Sequence, residues 1–173
     1  AHASPLDMLH AIATSCNAYF AHEYRKIIEK YPTPAQGITA WGNDLRSFGF
    51  GEYLGSDFPI GRKGYIPDAA FYNRHYGENG WRATTNISNG IGQGEVLVTP
   101  LQLANALSAI ANKGDYYTPH IVRKIDGKTT PFTQYTEVKH TRVAPQYFDP
   151  IIKGMNLSYT GGTSRGTQID SVN

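Results

Sequence analysis

Apolar residues recur at steps of three and four along much of the chain, the spacing that places side chains on one face of an α-helix. This pattern predicts a short helix over residues 5–14 and a second helix from Ala18 to Pro32. The stripe expected to face the core in the second helix is Phe20, Tyr24, Ile27, Ile28 and Tyr31. A third helix, ended by Gly49, is marked by Ile38, Trp41, Leu45 and Phe48. This end of the chain is therefore predicted to be mainly helical.

The best-marked helix lies in the segment TPLQLANALSAIANKG, which begins at Thr99. Thr99 is suited to the N-cap, Pro100 to the first helical position and Gln102 to a capping box with Thr99. The buried stripe predicted from the spacing is Leu103, Leu107, Ile110 and Ala111. Gly114 follows the predicted end of the helix. Both ends of this helix are therefore predicted from its capping residues.

The remaining segments predict loops, short strands and one more helix. Residues 49–88 are rich in Gly, Pro, Tyr and Asn without a sustained period, which predicts a long ordered loop. The segment GEVLVT before Thr99 predicts a short strand or extended stretch, and two later strands are predicted to meet at a turn formed by Asp126 and Gly127. A last helix over residues 145–158 is expected to bury Phe148, Ile151, Ile152 and Met155. The pattern favours one mostly helical unit with a few antiparallel strands.

Composition narrows the classes of protein to which the chain can belong. With 173 residues, 40% of them hydrophobic, the chain is long enough for one domain with a sizeable core. Its net charge of +2 comes from scattered Lys and Arg, which argues against a nucleic-acid partner. No apolar run approaches the roughly 20 residues that span a bilayer. One cysteine excludes an internal disulfide, and the six histidines have no metal-ligand spacing.

Two glycine-containing segments look like nucleotide-binding motifs but differ from them in spacing. The segment GIGQGE would need a glycine at the position of Glu95 to complete the G-x-G-x-x-G motif. The segment GKTT at residues 127–130 matches the end of a phosphate-binding loop, but Val122 stands where the first glycine of that loop is required. The sequence therefore predicts neither a cofactor nor a metal.

The polar interruption in the stretch IATSCNAYF is the candidate for chemistry. Ser15 and Asn17 stand two residues apart, between the first two predicted helices. One interpretation is that either of them caps the second helix through its side chain. The other is catalytic, since a hydroxyl and a carboxamide in one turn can transfer a proton and hold a substrate amide. Cys16 between them is interpreted as a small buried hydrophobe rather than a nucleophile.

The order of three segments resembles the transpeptidase domain of class B penicillin-binding proteins. These segments are AIATSCNAYF, ISNGIGQGEVLVTPLQLANALSAIANKG and GGTSRGT. The resemblance runs from about His10 to about Thr167 and is greatest to the penicillin-binding protein 2 group, which acts in cell elongation. It implies an α/β (α+β) fold of the penicillin-binding-protein/serine β-lactamase type, of which this chain would supply mostly the helical part. Ser15, Cys16 and Asn17 would form the middle one of three catalytic signatures, between S-x-x-K and K-T-G.

The other two signatures are absent from the sequence. No serine has a lysine three residues later, and the nearest approach to K-T-G is Lys128-Thr129, which is followed by Thr130. In the family the serine-lysine motif lies upstream of the middle motif, and K-T-G follows a glycine-rich segment similar to GGTSRGT. We therefore expect residues 1–173 to be the central fragment of one transpeptidase domain and to be inactive alone.

The resemblance also implies a reaction and its partners. The complete protein would be a serine-type D,D-transpeptidase that cross-links peptidoglycan stem peptides through an acyl-serine intermediate, at which β-lactam antibiotics would be trapped. In this reaction Ser15 would relay a proton and Asn17 would bind the substrate amide. The cell-wall elongation machinery is the expected partner, on the periplasmic side of the bacterial inner membrane, where an N-terminal helix outside the fragment would anchor the protein. The alternatives are a non-catalytic sensor or scaffold of the same fold and a D,D-carboxypeptidase or β-lactamase-like hydrolase.

Overall fold

The computed structural model describes residues 6–57, 61–129 and 132–167, and in these ranges the chain is mostly helical. The α-helices are α1 (Met8–Ala13), α2 (Asn17–Glu29), α3 (Pro34–Ser47), α4 (Ala69–Tyr76), α5 (Pro100–Ala111) and α6 (Phe148–Gly161). Short 3₁₀ helices cover Ile87–Ile91, Thr133–Tyr135, Pro145–Tyr147 and Arg165–Thr167. The strands are β1 (Asp115–Tyr116), β2 (Lys124–Ile125), β3 (Lys128–Thr129) and β4 (Lys139–His140). They form two antiparallel pairs, β1 with β4 and β2 with β3, which confirms the predicted mixture of helices and few antiparallel strands.

A helix occupies part of the segment that was predicted to be a long loop. Within residues 49–88, α4 begins after Asp68, whose side chain accepts a hydrogen bond from the backbone N–H of Phe71 at 2.8 Å. Tyr72 of this helix is fully buried, and its ring centroid lies 5.0 Å from that of Trp81. The loop prediction was wrong here because a helix of eight residues is too short to show a sustained apolar period in the sequence.

The main hydrophobic core lies where α2, α3, α4 and the segment after α4 meet. Its buried members are Tyr24, Ile28, Ile38, Tyr72, Trp81 and Ala83. Three residues of the stripe predicted for α2 are not in this core. Phe20 is half-buried, Ile27 is 45% exposed and Tyr31 is 39% exposed. Tyr24 and Ile28 are four positions apart and share the face that meets the core, whereas Ile27 lies about 60° around the helix from Tyr24 and about 100° from Ile28.

Helix α5 begins and ends as predicted, but it buries a different face from the predicted one. Thr99 and Gln102 form the expected capping box at its start. Leu103 and Leu107, predicted to be buried, are 50% and 46% exposed, Ile110 is half-buried, and Ala111 is exposed. The buried residues of the helix are Gln102, Asn105, Ala106 and Ala109.

The buried face of α5 is polar because it satisfies the backbone of the segment that follows α3. The two N–H groups of the Gln102 amide, in a residue only 1% exposed, are shared among three backbone carbonyls. These acceptors, each within 3.0 Å, belong to Gly49, Glu52 and Lys63. Asn105 donates in the same way to the carbonyl of Phe48 at 3.0 Å. Carbonyl groups that lose contact with water require donors, so two polar side chains take the interior positions and the leucines face outward.

The strand region follows the prediction in part. Asp126 and Gly127 form the predicted tight turn between β2 and β3, with φ angles of 49° and 74°. Positive φ at both central residues is what the commonest two-residue hairpin turn requires. The GEVLVT segment forms an isolated bridge between Leu97 and Tyr65 rather than a strand. The pairing of β1 with β4 joins the chain after α5 to the chain before α6.

Helix α6 packs against α1 through small residues. A 3₁₀ turn precedes it, so the α-helix runs from Phe148 to Gly161 rather than over residues 145–158. Gly154 and Ser158 are buried, and a Cβ atom placed on Gly154 would lie 2.8 Å from Cδ1 of Ile12. Met155, predicted to be buried, is 38% exposed, because the face that meets α1 is the one with the small residues.

A carboxylate fixes the exposed segment before the β2–β3 hairpin. Asp57 accepts hydrogen bonds from the backbone N–H of Val122 at 2.8 Å and from that of Ile121 at 3.0 Å and 3.1 Å. These bonds, first that of Val122 and then that of Ile121, lower the pKa of Asp57 below its ordinary value of 3.8. Because the folded-state pKa is depressed, the stabilisation is present above pH 3.8 and is lost as the pH falls through the lowered pKa.

We therefore expect the protection of the Ile121 and Val122 amides against hydrogen exchange to fall when the pH drops below the lowered pKa of Asp57. Asp57→Asn has no charge to titrate, so it should reduce the protection of both amides already at neutral pH. Amide hydrogen exchange read by NMR, corrected for the intrinsic exchange rate at each pH, measures this. Unchanged protection in Asp57→Asn at neutral pH would show that the carboxylate does not hold the segment.

Candidate functional site

The turn between α1 and α2 has the hydrogen bonds of a Schellman motif, a common way to end an α-helix. The N–H of Ser15 donates to the carbonyl of Ile12 at 3.2 Å, and the N–H of Cys16 donates to the carbonyl of Ala11 at 2.9 Å. In this motif the residue at the position of Ser15 adopts the left-handed conformation and is usually glycine. The turn therefore sets the direction in which the chain leaves α1.

Ser15 has a backbone conformation that is uncommon for a residue with a side chain. Its φ angle is +53°, and among the described residues other than glycine only Lys113 and Asp126 share a positive φ. A left-handed conformation costs a non-glycine residue roughly 1–2 kcal/mol, and such strain concentrates at functional sites. The hydroxyl of Ser15 is exposed and has no hydrogen-bond partner in the part of the chain that the structure describes. Lys113 has the same conformation at the end of α5, so this conformation also occurs where the helix simply ends.

The interpretation that Ser15 or Asn17 caps α2 through its side chain is wrong. The residue at the N-cap of α2 is Cys16, with φ −78° and ψ 95°, and no side chain makes a hydrogen bond to the cap. Asn17 is the first residue of the helix. Cys16 is half-buried rather than fully buried, at the position where a Schellman motif commonly makes an apolar contact with the helix it ends.

Asn17 lies on the same exposed turn as Ser15. Its carboxamide has no hydrogen-bond partner among residues 6–57, 61–129 and 132–167, so it is available to a ligand. Three cavities of about 500–750 Å³ lie elsewhere in the described structure, and none of them is lined by Ser15 or Asn17. Both side chains are exposed at the surface, and a hydroxyl and a carboxamide can each donate and accept hydrogen bonds.

The glycine-rich segment after α6 contacts the end of α1, next to the Ser15 turn. The N–H of Thr163 donates to the carbonyl of Ala13 at 3.0 Å. A Cβ atom on Gly162 would lie 2.0 Å from the same carbonyl oxygen, so only glycine allows this approach. The sequence interpretation did not foresee this contact. Its signal was the recurrence of small residues every four positions, at Gly154, Ser158 and Gly162, which places them on one face of α6.

The GIGQGE segment has a packing role in the structure. A Cβ atom on Gly90 would lie 2.4 Å from the Cβ of Tyr24, so the segment lies directly against α2. The carboxylate of Glu95 accepts a hydrogen bond from the hydroxyl of Tyr72 at 2.7 Å, and the side-chain amide of Asn89 lies 2.8 Å from that hydroxyl. Burial, together with the nearby Glu95 carboxylate, raises the pKa of Tyr72. Glu95 thus joins the segment to α4.

The described ranges hold neither a metal site nor a membrane-spanning helix. Residues 6–57, 61–129 and 132–167 contain no group of three or more His, Cys, Asp or Glu side chains that could hold a metal ion. In the same ranges no helix combines the length and the apolar character that a membrane crossing requires.

Comparison with known proteins identifies the family. The model of the penicillin-binding protein transpeptidase domain matches residues 1–173, so the chain belongs to the penicillin-binding protein transpeptidase domain family. Peptidoglycan D,D-transpeptidase MrdA of Acinetobacter baumannii is 34% identical over 128 residues, which are 74% of this chain and 17% of that protein. The chain therefore spans about a sixth of the length of this relative.

Solved structures show the same fold. A structure of PBP2 of Pseudomonas aeruginosa in complex with WCK 5153 superposes with a TM-score of 0.78 at 26% identity, covering 96% of this chain and 36% of that one. PBP2 of Helicobacter pylori, in its complex with MreC, gives a TM-score of 0.70 at 26% identity, with 96% and 28% covered. These similarities confirm the predicted fold type and the predicted resemblance to penicillin-binding protein 2.

Proposed function

We propose that the complete protein is a peptidoglycan D,D-transpeptidase of the penicillin-binding protein 2 type and that residues 1–173 are the central fragment of its transpeptidase domain. The observation that carries the proposal is the Ser15 turn, where an exposed serine is held in the left-handed conformation beside an exposed asparagine. It occurs in a chain that matches the transpeptidase family model from end to end. The similarity to MrdA supports the elongation type.

In the proposed reaction a serine outside residues 1–173 attacks the carbonyl carbon of the penultimate D-alanine of a stem peptide. The new C–O bond forms as the C–N bond to the terminal D-alanine breaks, and the proton that the attacking serine loses passes through its lysine partner and the hydroxyl of Ser15 to the departing nitrogen. An amine of a neighbouring stem peptide then attacks the acyl-serine, the new C–N bond forms as the C–O bond breaks, and the amine's proton returns by the same route to the serine oxygen. The carboxamide of Asn17 hydrogen-bonds the substrate amide in both steps.

The isolated 173-residue chain is expected to have no transpeptidase activity. Residues 1–173 contain neither S-x-x-K nor K-T-G, so the chain alone has no acylating serine with its lysine partner. We place the complete protein on the periplasmic side of the inner membrane, where its substrate is assembled into the wall. The complex of the similar Helicobacter pylori protein with MreC supports cell-wall elongation proteins as partners.

A D,D-carboxypeptidase or β-lactamase-like hydrolase shares every residue that the proposal uses, because transfer and hydrolysis differ in whether an amine or water reaches the acyl-serine. The 34% identity to a D,D-transpeptidase favours transfer. A non-catalytic sensor of the same fold would still need S-x-x-K, whereas a degenerate scaffold would lack it, so the presence of that motif in the complete protein tests the scaffold alternative.

Labelling with a fluorescent penicillin tests both parts of the proposal. We expect the complete protein to be labelled covalently and the 173-residue chain not to be labelled, with unlabelled penicillin blocking the signal in the complete protein. Failure of the complete protein to react would contradict the assignment as a penicillin-reactive enzyme. Labelling of the 173-residue chain would contradict the absence of a nucleophile from it.

A further inference from the structure

The carbonyl of the last residue of α1 accepts hydrogen bonds from a residue outside that helix. The carbonyl of Ala13 accepts the N–H of Thr163 at 3.0 Å and lies 3.4 Å from the hydroxyl of the same residue. Carbonyls in the last turn of a helix have no partner within the helix, and here a residue 150 positions away supplies one. Ala13 is itself only 6% exposed and stands two residues before Ser15.

Ser158 holds the segment that makes this contact. Its hydroxyl lies 3.1 Å from the hydroxyl of Ser164 and 3.3 Å from that of Thr163. Its carbonyl accepts the N–H groups of Gly162 and Ser164, each at 3.1 Å. Ser158 is 8% exposed, although it carries a polar side chain. The segment Gly162–Thr163–Ser164 is thus bonded to α6 on one side and to α1 on the other, and we call it the 162–164 clamp.

The 162–164 clamp contacts the last turn of α1, which determines the position of the Ser15 hydroxyl. The Schellman bonds of Ser15 and Cys16 end on the carbonyls of Ile12 and Ala11, in the last turn of α1. The clamp bonds the next carbonyl of that turn, that of Ala13. Because Ser15 is held by backbone bonds alone, the position of its hydroxyl follows the position of this turn of the helix.

We propose that Ser158, acting through Thr163, is a positioning residue for Ser15: the clamp fixes the end of α1 so that the Ser15 hydroxyl meets the proton it transfers. The inference rests on the role of Ser15 under the proposed function. Its physical basis is that proton transfer requires hydrogen-bond distance, so a shift of about 1 Å in a reacting group can cost on the order of a hundredfold in rate.

The test uses the complete protein and measures the rate constant and the affinity of acylation by a fluorescent penicillin separately. Ser158→Ala and Thr163→Val each remove one hydroxyl of the clamp, and we expect each to lower the acylation rate constant on the order of tenfold with little change in affinity. Thr163→Ser keeps the hydroxyl and should restore the rate. The matched control is Thr160→Val, on the same helix, whose exposed hydroxyl bonds only to the carbonyl of Asn156 and whose loss should leave the rate unchanged.

A double-mutant cycle separates positioning from a general structural effect. If Ser158 acts through Ser15, adding Ser158→Ala to Ser15→Ala should slow acylation by less than about twofold more, because the group it positions is already gone. An effect of Ser158→Ala that is equally large with and without Ser15 would overturn the proposal. The proposal would also be overturned if Ser158→Ala and Thr163→Val both reacted at the normal rate while Ser15→Ala reacted slowly. A normal rate in Ser15→Ala itself would instead refute the role of Ser15, and the inference with it.

Discussion

Ser15→Gly in the complete protein is expected to slow acylation by penicillin about 10² to 10⁴-fold without lowering the stability of the domain. The rate is expected to fall because the hydroxyl that we propose as the proton relay is gone. The stability does not fall because Ser15 has a φ angle of +53°, which glycine adopts without strain. Relief of roughly 1–2 kcal/mol of left-handed strain, set against about 0.5–1 kcal/mol of extra chain entropy for glycine, predicts a small gain. Stopped-flow acylation and thermal unfolding of the same samples measure both effects.

Lys113→Gly is the matched control, since Lys113 stands in the same position at the end of α5. Its φ angle is +56°, its N–H donates to the carbonyl of Ile110, and the next N–H, that of Gly114, donates to Ala109. The substitution also removes an exposed ion pair with Asp149, which contributes little. We expect Lys113→Gly to leave the acylation rate unchanged. If Ser15→Gly were also to react at the normal rate, Ser15 would be a helix-ending residue only.

Gln102→Leu is expected to destabilise the domain by about 3 kcal/mol or more. Gln102 is 1% exposed, and the two N–H groups of its amide are shared among the carbonyls of three residues that lie 39 to 53 positions earlier in the chain. Leucine has a similar volume and no donor, and each buried polar group left without a partner costs about 1–3 kcal/mol. Its oxygen also accepts the N–H of Thr99 at 3.0 Å, so the capping box is lost as well. A fall in the thermal unfolding midpoint measures the effect.

The chain supplies a matched control for Gln102 in its third helix. Gln36 follows Thr33 and Pro34 as Gln102 follows Thr99 and Pro100, and its N–H likewise donates to the threonine side chain. The side chain of Gln36 is exposed and has no such set of carbonyls. Gln36→Leu should therefore change stability by less than about 0.5 kcal/mol. Equal effects of the two substitutions would show that the cap, and not the buried carbonyls, accounts for the role of Gln102.

Helices α5 and α4 show how far the local sequence pattern predicts this fold. The capping residues of α5 are adjacent in the sequence, so Thr99, Pro100 and Gln102 predicted its start correctly. Which face it buries depends on carbonyls near residue 50, and no pattern within the helix contains that information. The apolar stripe with Leu103 and Leu107 was therefore assigned to the wrong side. The short helix α4 was not predicted for a different reason, because eight residues are too few for an apolar period to appear in the sequence.

The candidate site was predicted by residue type and not by geometry. The sequence marked Ser15 and Asn17 as a polar turn between two helices, and the structure places both on an exposed turn. It did not predict the left-handed conformation of Ser15, which depends on backbone bonds to Ile12 and Ala11. Nor did it predict that Thr163 would contact the end of α1, because that contact joins residues 150 positions apart.

Mapping the penicillin adduct tests the central claim most directly, namely that Ser15 serves an acyl-serine enzyme without being the residue that is acylated. The complete protein is incubated with penicillin, digested, and analysed by mass spectrometry for the modified peptide. We expect a single acylated serine outside residues 1–173, with the peptide that contains Ser15 unmodified, and the same serine acylated more slowly in Ser15→Ala. An adduct on Ser15, or acylation of the same serine at the normal rate in Ser15→Ala, would contradict the account.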